Sequence, residues 1–123
     1  MNGDSLVVDT NIVLYLLSGD KTLATLLNNR QIYISFITEL ELLGYKELSL
    51  KDRQKIKNFL SDCRIIDVNA RIKESSIDLK QKYNLKLPDC IIAGTAIFLD
   101  FPFISADSDF VKIKELNLVL YEK

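Results

Sequence analysis

Short, continuously apolar runs alternate along this chain with longer stretches in which apolar residues recur at helical spacing. Five runs predict strands, at about Leu6–Val8, Ile32–Ser35, Arg64–Val68, Pro102–Ser105 and Leu118–Tyr121. Most lack the in–out alternation of a half-exposed strand, the mark of strands covered on both faces. Between them the spacing predicts helices from Asn11 to about Ser18 and over Lys21–Asn28, Ile37–Leu48 and Leu50–Asp62. Further helices are predicted over about Ala70–Tyr83, from Pro88 to about Leu99, and briefly near Phe110–Lys114. Thr10, Ser49 and Asn69 stand where N-caps belong, and Pro88 suits a first helical turn. Along Leu50–Asp62, Ile56, Phe59 and Leu60 make one apolar face, with Lys51, Arg53, Lys55 and Lys57 largely outward. Gly94 falls mid-helix, where glycine costs about 1 kcal/mol against alanine, and predicts close backbone packing on the sheet. The alternation as a whole predicts an α/β fold, a three-layer α/β/α domain with a five-stranded, mostly parallel sheet. It occupies residues 1–123 as one unit, without internal repeat, linker or low-complexity segment.

Composition narrows the class. Apolar residues make up 48% and charged residues 27%, the balance of a soluble globular protein with a real core. No apolar run approaches the roughly 18–20 residues of a membrane span. Asp4, with no basic region before an apolar segment, predicts no signal peptide. Cys63 and Cys90 are the only cysteines and are expected as small core residues in a reducing cytoplasm. The net charge is −1 and the pI about 5.4, unlike a protein whose main task is gripping nucleic acid. A cluster of catalytic acids lowers net charge, however, so a nucleic-acid enzyme stays open.

There are 17 acidic residues, and the fold class supplies a filter for them, because ligands bind beyond the C-terminal ends of parallel strands. Asp9 passes, since Val7-Val8 runs straight into it and Thr10-Asn11 follows. Asp107 passes after Phe103-Ile104-Ser105-Ala106, and Asp109 lies close behind. Asp89 stands at the entrance of the nearly all-apolar helix that begins at Pro88. Within Ile37–Leu48, Glu41 shares a face with Ile37, Gly44 and Leu48, whereas Glu39 points the opposite way, so Glu41 leads. Asp67 also ends a strand, but a turn role before Asn69 suffices for it. Asp9 and Asp89 have a plainer alternative as helix-start residues favoured by the helix dipole, Asp107 and Asp109 as caps of the last short helix, and Glu41 as a boundary residue reaching to solvent.

There is no histidine, no Gly-rich phosphate loop and no nucleophile elbow, which removes histidine-based acid–base and nucleophilic chemistry. What remains is oxygen ligation. Clustered carboxylates select hard ions such as Mg²⁺ or Mn²⁺, and such ions promote displacement at phosphorus. Phosphodiester hydrolysis is the natural reaction, with Asp9, Glu41, Asp89 and Asp107 holding the metal. Asp109 is kept as a further candidate ligand. Thr10, Asn11 and Ser105 are candidates to orient water or a phosphate oxygen.

Four stretches carry a resemblance: Val7-Val8-Asp9-Thr10-Asn11; Ser35-Phe36-Ile37-Thr38 with Glu41 and Gly44; Pro88-Asp89-Cys90-Ile91-Ile92-Ala93-Gly94-Thr95-Ala96; and Ile104-Ser105-Ala106-Asp107-Ser108-Asp109-Phe110. Together they resemble the signature regions of PIN domains, above all the compact VapC-type ribonuclease toxins of type II toxin–antitoxin systems. The resemblance covers essentially the whole chain. It implies a five-stranded parallel sheet between helices and Mg²⁺- or Mn²⁺-dependent endonucleolytic cleavage of RNA. It also implies frequent homodimers and a VapB-type antitoxin that inserts a segment across the active site. By position, Asp9, Glu41, Asp89 and Asp107 match the family's acidic quartet. The fourth position varies in the family, which keeps Asp109 open, and Ser105 stands where a Thr or Ser is usual. The low pI departs from many such toxins and leaves the RNA-binding surface unplaced; Lys46, Arg53, Lys82 and Lys86 are candidate RNA contacts by their proximity to the motifs. Other functions stay open: a PIN nuclease that processes RNA without being a toxin, a non-catalytic module of the same fold, and a receiver-like phosphoacceptor using Asp67.

Overall fold

Each of the five apolar runs forms a strand. The computed structural model describes residues 4–122, so the residues before Asp4, on which part of the signal-peptide expectation rests, lie outside it. Five strands, β1 (Ser5–Val8), β2 (Gln31–Ser35), β3 (Arg64–Ile66), β4 (Phe103–Ser105) and β5 (Leu118–Leu120), form one sheet in the order β3-β2-β1-β4-β5. Every adjacent pair is parallel. The helices are α1 (Thr10–Leu17), α2 (Lys21–Leu27), α3 (Phe36–Leu43), α4 (Leu50–Ser61), α5 (Ala70–Lys82) and α6 (Leu87–Leu99), followed by a 3₁₀ turn at Ser108–Lys112.

Strand alternation sends successive side chains to two separate cores. Leu6 and Val8 of β1 pack with Ile12, Val13, Leu23, Leu42, Ile56 and Leu60 under α1–α4. Val7, between them, packs on the other face with Leu79, Ile92, Ala93, Phe103 and Phe110 under α5 and α6. Both faces are covered, as the continuous apolar runs require. The edge strands are the exception: Arg64, Val119 and Leu120 are exposed.

Several expected boundaries move. Helix α3 stops at Leu43 with Gly44 as its C-cap rather than running to Leu48. A side chain at Gly44 would bring its Cβ to 2.6 Å from the Leu40 carbonyl oxygen, which reserves that close turn for glycine. Strand β3 ends at Ile66, leaving Asp67 exposed in the connection before α5 and outside the cavity that Asp9, Glu41, Asp89 and Asp107 line. The first helix is capped by Asp9, not Thr10: the Asp9 carboxylate accepts from the Ile12 N–H at 3.0 Å, and Thr10 is already helical. Gly94 marks a close approach, but to α5 rather than to the sheet. A Cβ there would lie 2.9 Å from Ser76 Oγ and 3.4 Å from the Ile72 carbonyl oxygen. Both cysteines are free; Cys90 is buried and Cys63 half-buried, with burial pushing its thiol up to about 12. Among the described residues no helix is long and apolar enough to cross a membrane.

Candidate active site

The strand order places the site. The chain leaves β1 toward β2 on one side, and β4 later fills the other, so the crevice beyond the C-terminal ends of β1 and β4 is the switch point of the sheet. The register pairs Val8 with Ile104, and the Asp9 N–H donates to the Ile104 carbonyl, so Asp9 and the residues after β4 emerge side by side. A cavity of about 280 Å³ opens there. Its polar wall is Asp9, Thr10, Asn11, Glu41, Asp89 and Asp107, and its apolar wall is Leu14, Leu42, Tyr45, Ile92 and Phe110.

Asp9 is the most enclosed of the acids, at 5% exposure. One carboxylate oxygen caps α1 and the other accepts a short hydrogen bond from Ser105 Oγ. Burial pushes its carboxyl above the usual range, against the lowering effect of these two bonds, and the charges of Asp107 and Asp89 push it further up. Asp89 enters from the first turn of α6. Burial raises it too, with Asp107, Glu41 and Asp109 adding to the rise and Lys86 opposing it. Among the described residues the ion pairs join Lys82 to Asp78 and Glu115, and none reaches the cavity acids. The site is thus a pocket of mutually repelling carboxylates.

Glu41 reaches this pocket by a different route from the one expected. The buried face of α3 is Thr38 and Leu42, whereas Glu41 is exposed and Glu39 half-buried and outside the cavity wall. What brings Glu41 in is a bond across to α1: Thr10 Oγ1 donates to Glu41 Oε1 at 2.6 Å. Thr10 has a single proton, so its second contact, 3.1 Å to Thr38 Oγ1, has the fully buried Thr38 as donor. Thr10 therefore orients an acid; Thr38 behind it stands in the Ser35–Thr38 signature stretch, but periodicity does not say which group a buried threonine bonds, so the sequence assigned it no role of its own.

Ser105 is fully buried and faces no opening. It ties two acids together, donating to Asp9 and accepting the Asp107 N–H at 3.0 Å. That geometry replaces direct contact with water or phosphate by a positioning role. Asp107 lines the cavity; Asp109 is exposed, outside that wall, with its N–H bonded to Asp107 Oδ1 at 2.9 Å. Asn11 is exposed on the rim. The carboxylates share one cavity, yet among the described residues no three His, Cys, Asp or Glu side chains stand close enough to form a ready ligand set.

The PIN-domain family model matches residues 6–116, nearly the full chain. This chain belongs to the PIN-domain family. Among solved structures it is similar to a toxin–antitoxin complex from Klebsiella pneumoniae, with 35% identity, a TM-score of 0.82, and coverage of 96% of this chain and 99% of that one. It is also similar to VapBC2 from Rickettsia felis bound to a promoter DNA fragment, at 25% identity and TM-score 0.81, again over 96% and 99% of the two chains. VapBC-1 from nontypeable Haemophilus influenzae shares the fold at 24% identity and TM-score 0.74, over 94% of this chain and 97% of that one. No curated protein matched the chain. The PIN domain is a nuclease fold, and the match spans the segments that carry Asp9, Glu41, Asp89 and Asp107.

Proposed function

We propose that this PIN domain is a metal-dependent endoribonuclease, the VapC-type toxin of a toxin–antitoxin pair acting in the cytoplasm. The observation that carries the proposal is that Asp9, Glu41, Asp89 and Asp107, from four separate segments, line one cavity that, among the described residues, no lysine or arginine ion pair neutralises. The donors are carboxylate oxygens, which suit Mg²⁺ or Mn²⁺ and fit no soft or nitrogen-preferring ion. Asp9, Asp89, Glu41 and Asp107 would hold the metal, with Asp109 just outside. Because no three acids are assembled in advance, these side chains would converge only as the ion binds. Such an ion, when bound, lowers the pKa of water and offsets charge at phosphorus. The chain's own contribution is positional: Ser105 holds Asp9, and Thr38 with Thr10 holds Glu41 at the opening.

Two further features support the partners. A groove of about 510 Å³ between α1, α3 and α4, with an apolar floor of Leu14, Leu17, Leu42, Leu48 and Ile56 edged by Glu47, Asp52 and Lys55, runs into the acid cavity through shared Leu14, Leu42 and Tyr45. A VapB-type antitoxin segment lying in that groove would cover the acids. Exposed Val68, Ile77 and Leu87, around a second apolar groove beside α5 and α6, are surface that a homodimer would cover. The test is cleavage of RNA by the purified protein with Mg²⁺ or Mn²⁺. It is expected to stop with EDTA, with Asp9→Asn and with the antitoxin. Metal-independent cleavage, or full activity of Asp9→Asn in metal-defined buffer, would overturn the proposal.

A further inference from the structure

We propose that Tyr45 is the stacking platform for a base of single-stranded RNA next to the scissile phosphate, an inference that rests on the ribonuclease function above. Tyr45 follows Gly44 in the loop after α3, is 65% exposed, and forms part of the wall of the acid cavity. A large aromatic that stays in water beside a carboxylate pocket adds nothing to the core. Its ring borders the cavity that holds the acids, within reach of a nucleotide flanking a phosphate bound there. Leu14 and Leu42 supply apolar surface beside it.

The electrostatics favour this use. Most RNA binders draw affinity from phosphate contacts by lysine and arginine. This chain carries a net charge of −1, and its site is walled by acids that repel phosphate. Stacking needs no charge, and each stacked base contributes roughly 1–3 kcal/mol by alanine substitution. Lys46, next in the chain, puts an exposed cation in the same loop. Stacking also requires an unpaired base, so the substrate is a loop or single strand rather than a duplex.

Two measurements test it. Tyr45→Ala is expected to raise KM for a single-stranded oligoribonucleotide roughly ten- to a hundredfold, with kcat changed far less, and Tyr45→Phe to restore KM. The chain has no tryptophan, so Tyr45→Trp on the Asp9→Asn background gives one fluorescent reporter without cleavage. Single-stranded RNA is expected to quench it, and a duplex of equal length to do so far less. An unchanged KM in Tyr45→Ala, or a tryptophan that responds to the antitoxin but not to single-stranded RNA, would overturn the proposal. Failure of the wild-type protein to cleave any RNA would instead sink the ribonuclease assignment, and the fluorescence arm would still decide stacking.

Discussion

At the scale of single residues, Asp9 concentrates the conflict between fold and function. Its carboxylate caps α1 and holds Ser105, yet it is buried beside two like charges. Asparagine keeps the capping oxygen and removes the charge. Asp9→Asn is therefore expected to abolish cleavage while raising the stability of the metal-free protein by about 1 kcal/mol, seen as roughly 3–5 °C in melting temperature. The sign with pH follows from linkage. Asp9 and Asp89 both have folded pKa values above their ordinary ones, so the native state binds these protons more tightly than the unfolded chain. Their contribution is present below the ordinary carboxylate value and is lost as pH rises through the raised folded values. The stability gap between Asp9→Asn and wild type should accordingly be widest at neutral pH and close toward pH ~4. Thermal melts across pH measure it, and a gap that widens on acidification would contradict the burial account. Thr10 gives a second case. Thr10→Val removes the hydroxyl that holds Glu41 and leaves the buried Thr38 hydroxyl without its acceptor, so it is expected to lower kcat about tenfold and to cost roughly 1 kcal/mol of stability.

At the scale of elements, α6 shows how tightly one helix is set. It is buried on most sides, and Gly94 lets α5 approach. Gly94→Ala gains helix propensity of about 1 kcal/mol, but its Cβ would press on Ser76 Oγ, which is itself buried and bonded to the Ile72 carbonyl. Calorimetry is expected to show net destabilisation by roughly 1–2 kcal/mol, largely recovered in Gly94→Ala with Ser76→Ala. Stabilisation by the single change would mean that the helices slide apart at little cost. The same helix marks the boundary of what was legible. Strand–helix alternation, the parallel sheet and the strand-end positions of Asp9 and Asp107 follow from patterns that local physics writes into the chain. The partner of Gly94 does not, because a glycine records that something approaches but not what. Glu41 is the sharper lesson. Helix geometry selected it as sharing a packed face, whereas it sits exposed on the cavity rim and is drawn in by Thr10 from another helix. A hydrogen bond between residues 31 positions apart leaves no periodic trace.

At the scale of the whole molecule, the question is how a protein with a net charge of −1 holds a polyanion. Divalent ions offset the acids only at the cavity itself. Of the four cations named near the motifs, Lys82 is committed to Asp78 and Glu115, and Arg53 lies on α4 with neither itself nor a chain neighbour in the cavity wall. Lys86 stands near Asp89, opposing the rise in its pKa, and Lys46 adjoins Tyr45. RNA would thus be held by roughly two phosphate contacts together with stacking. For single strands each neutralised phosphate contributes about −0.7 to the slope of log affinity against log salt. Two contacts give a slope near −1.4, shallow for a nucleic-acid enzyme. Lys86→Ala should flatten it by about one contact while Tyr45→Ala leaves it unchanged and lowers affinity at every salt concentration. Binding of Asp9→Asn to a labelled single strand across a salt series measures both, at fixed divalent concentration. A slope steeper than about −3 would mean that phosphate contacts dominate, carried by a basic surface elsewhere, with the lysines outward on α4 the first to mutate.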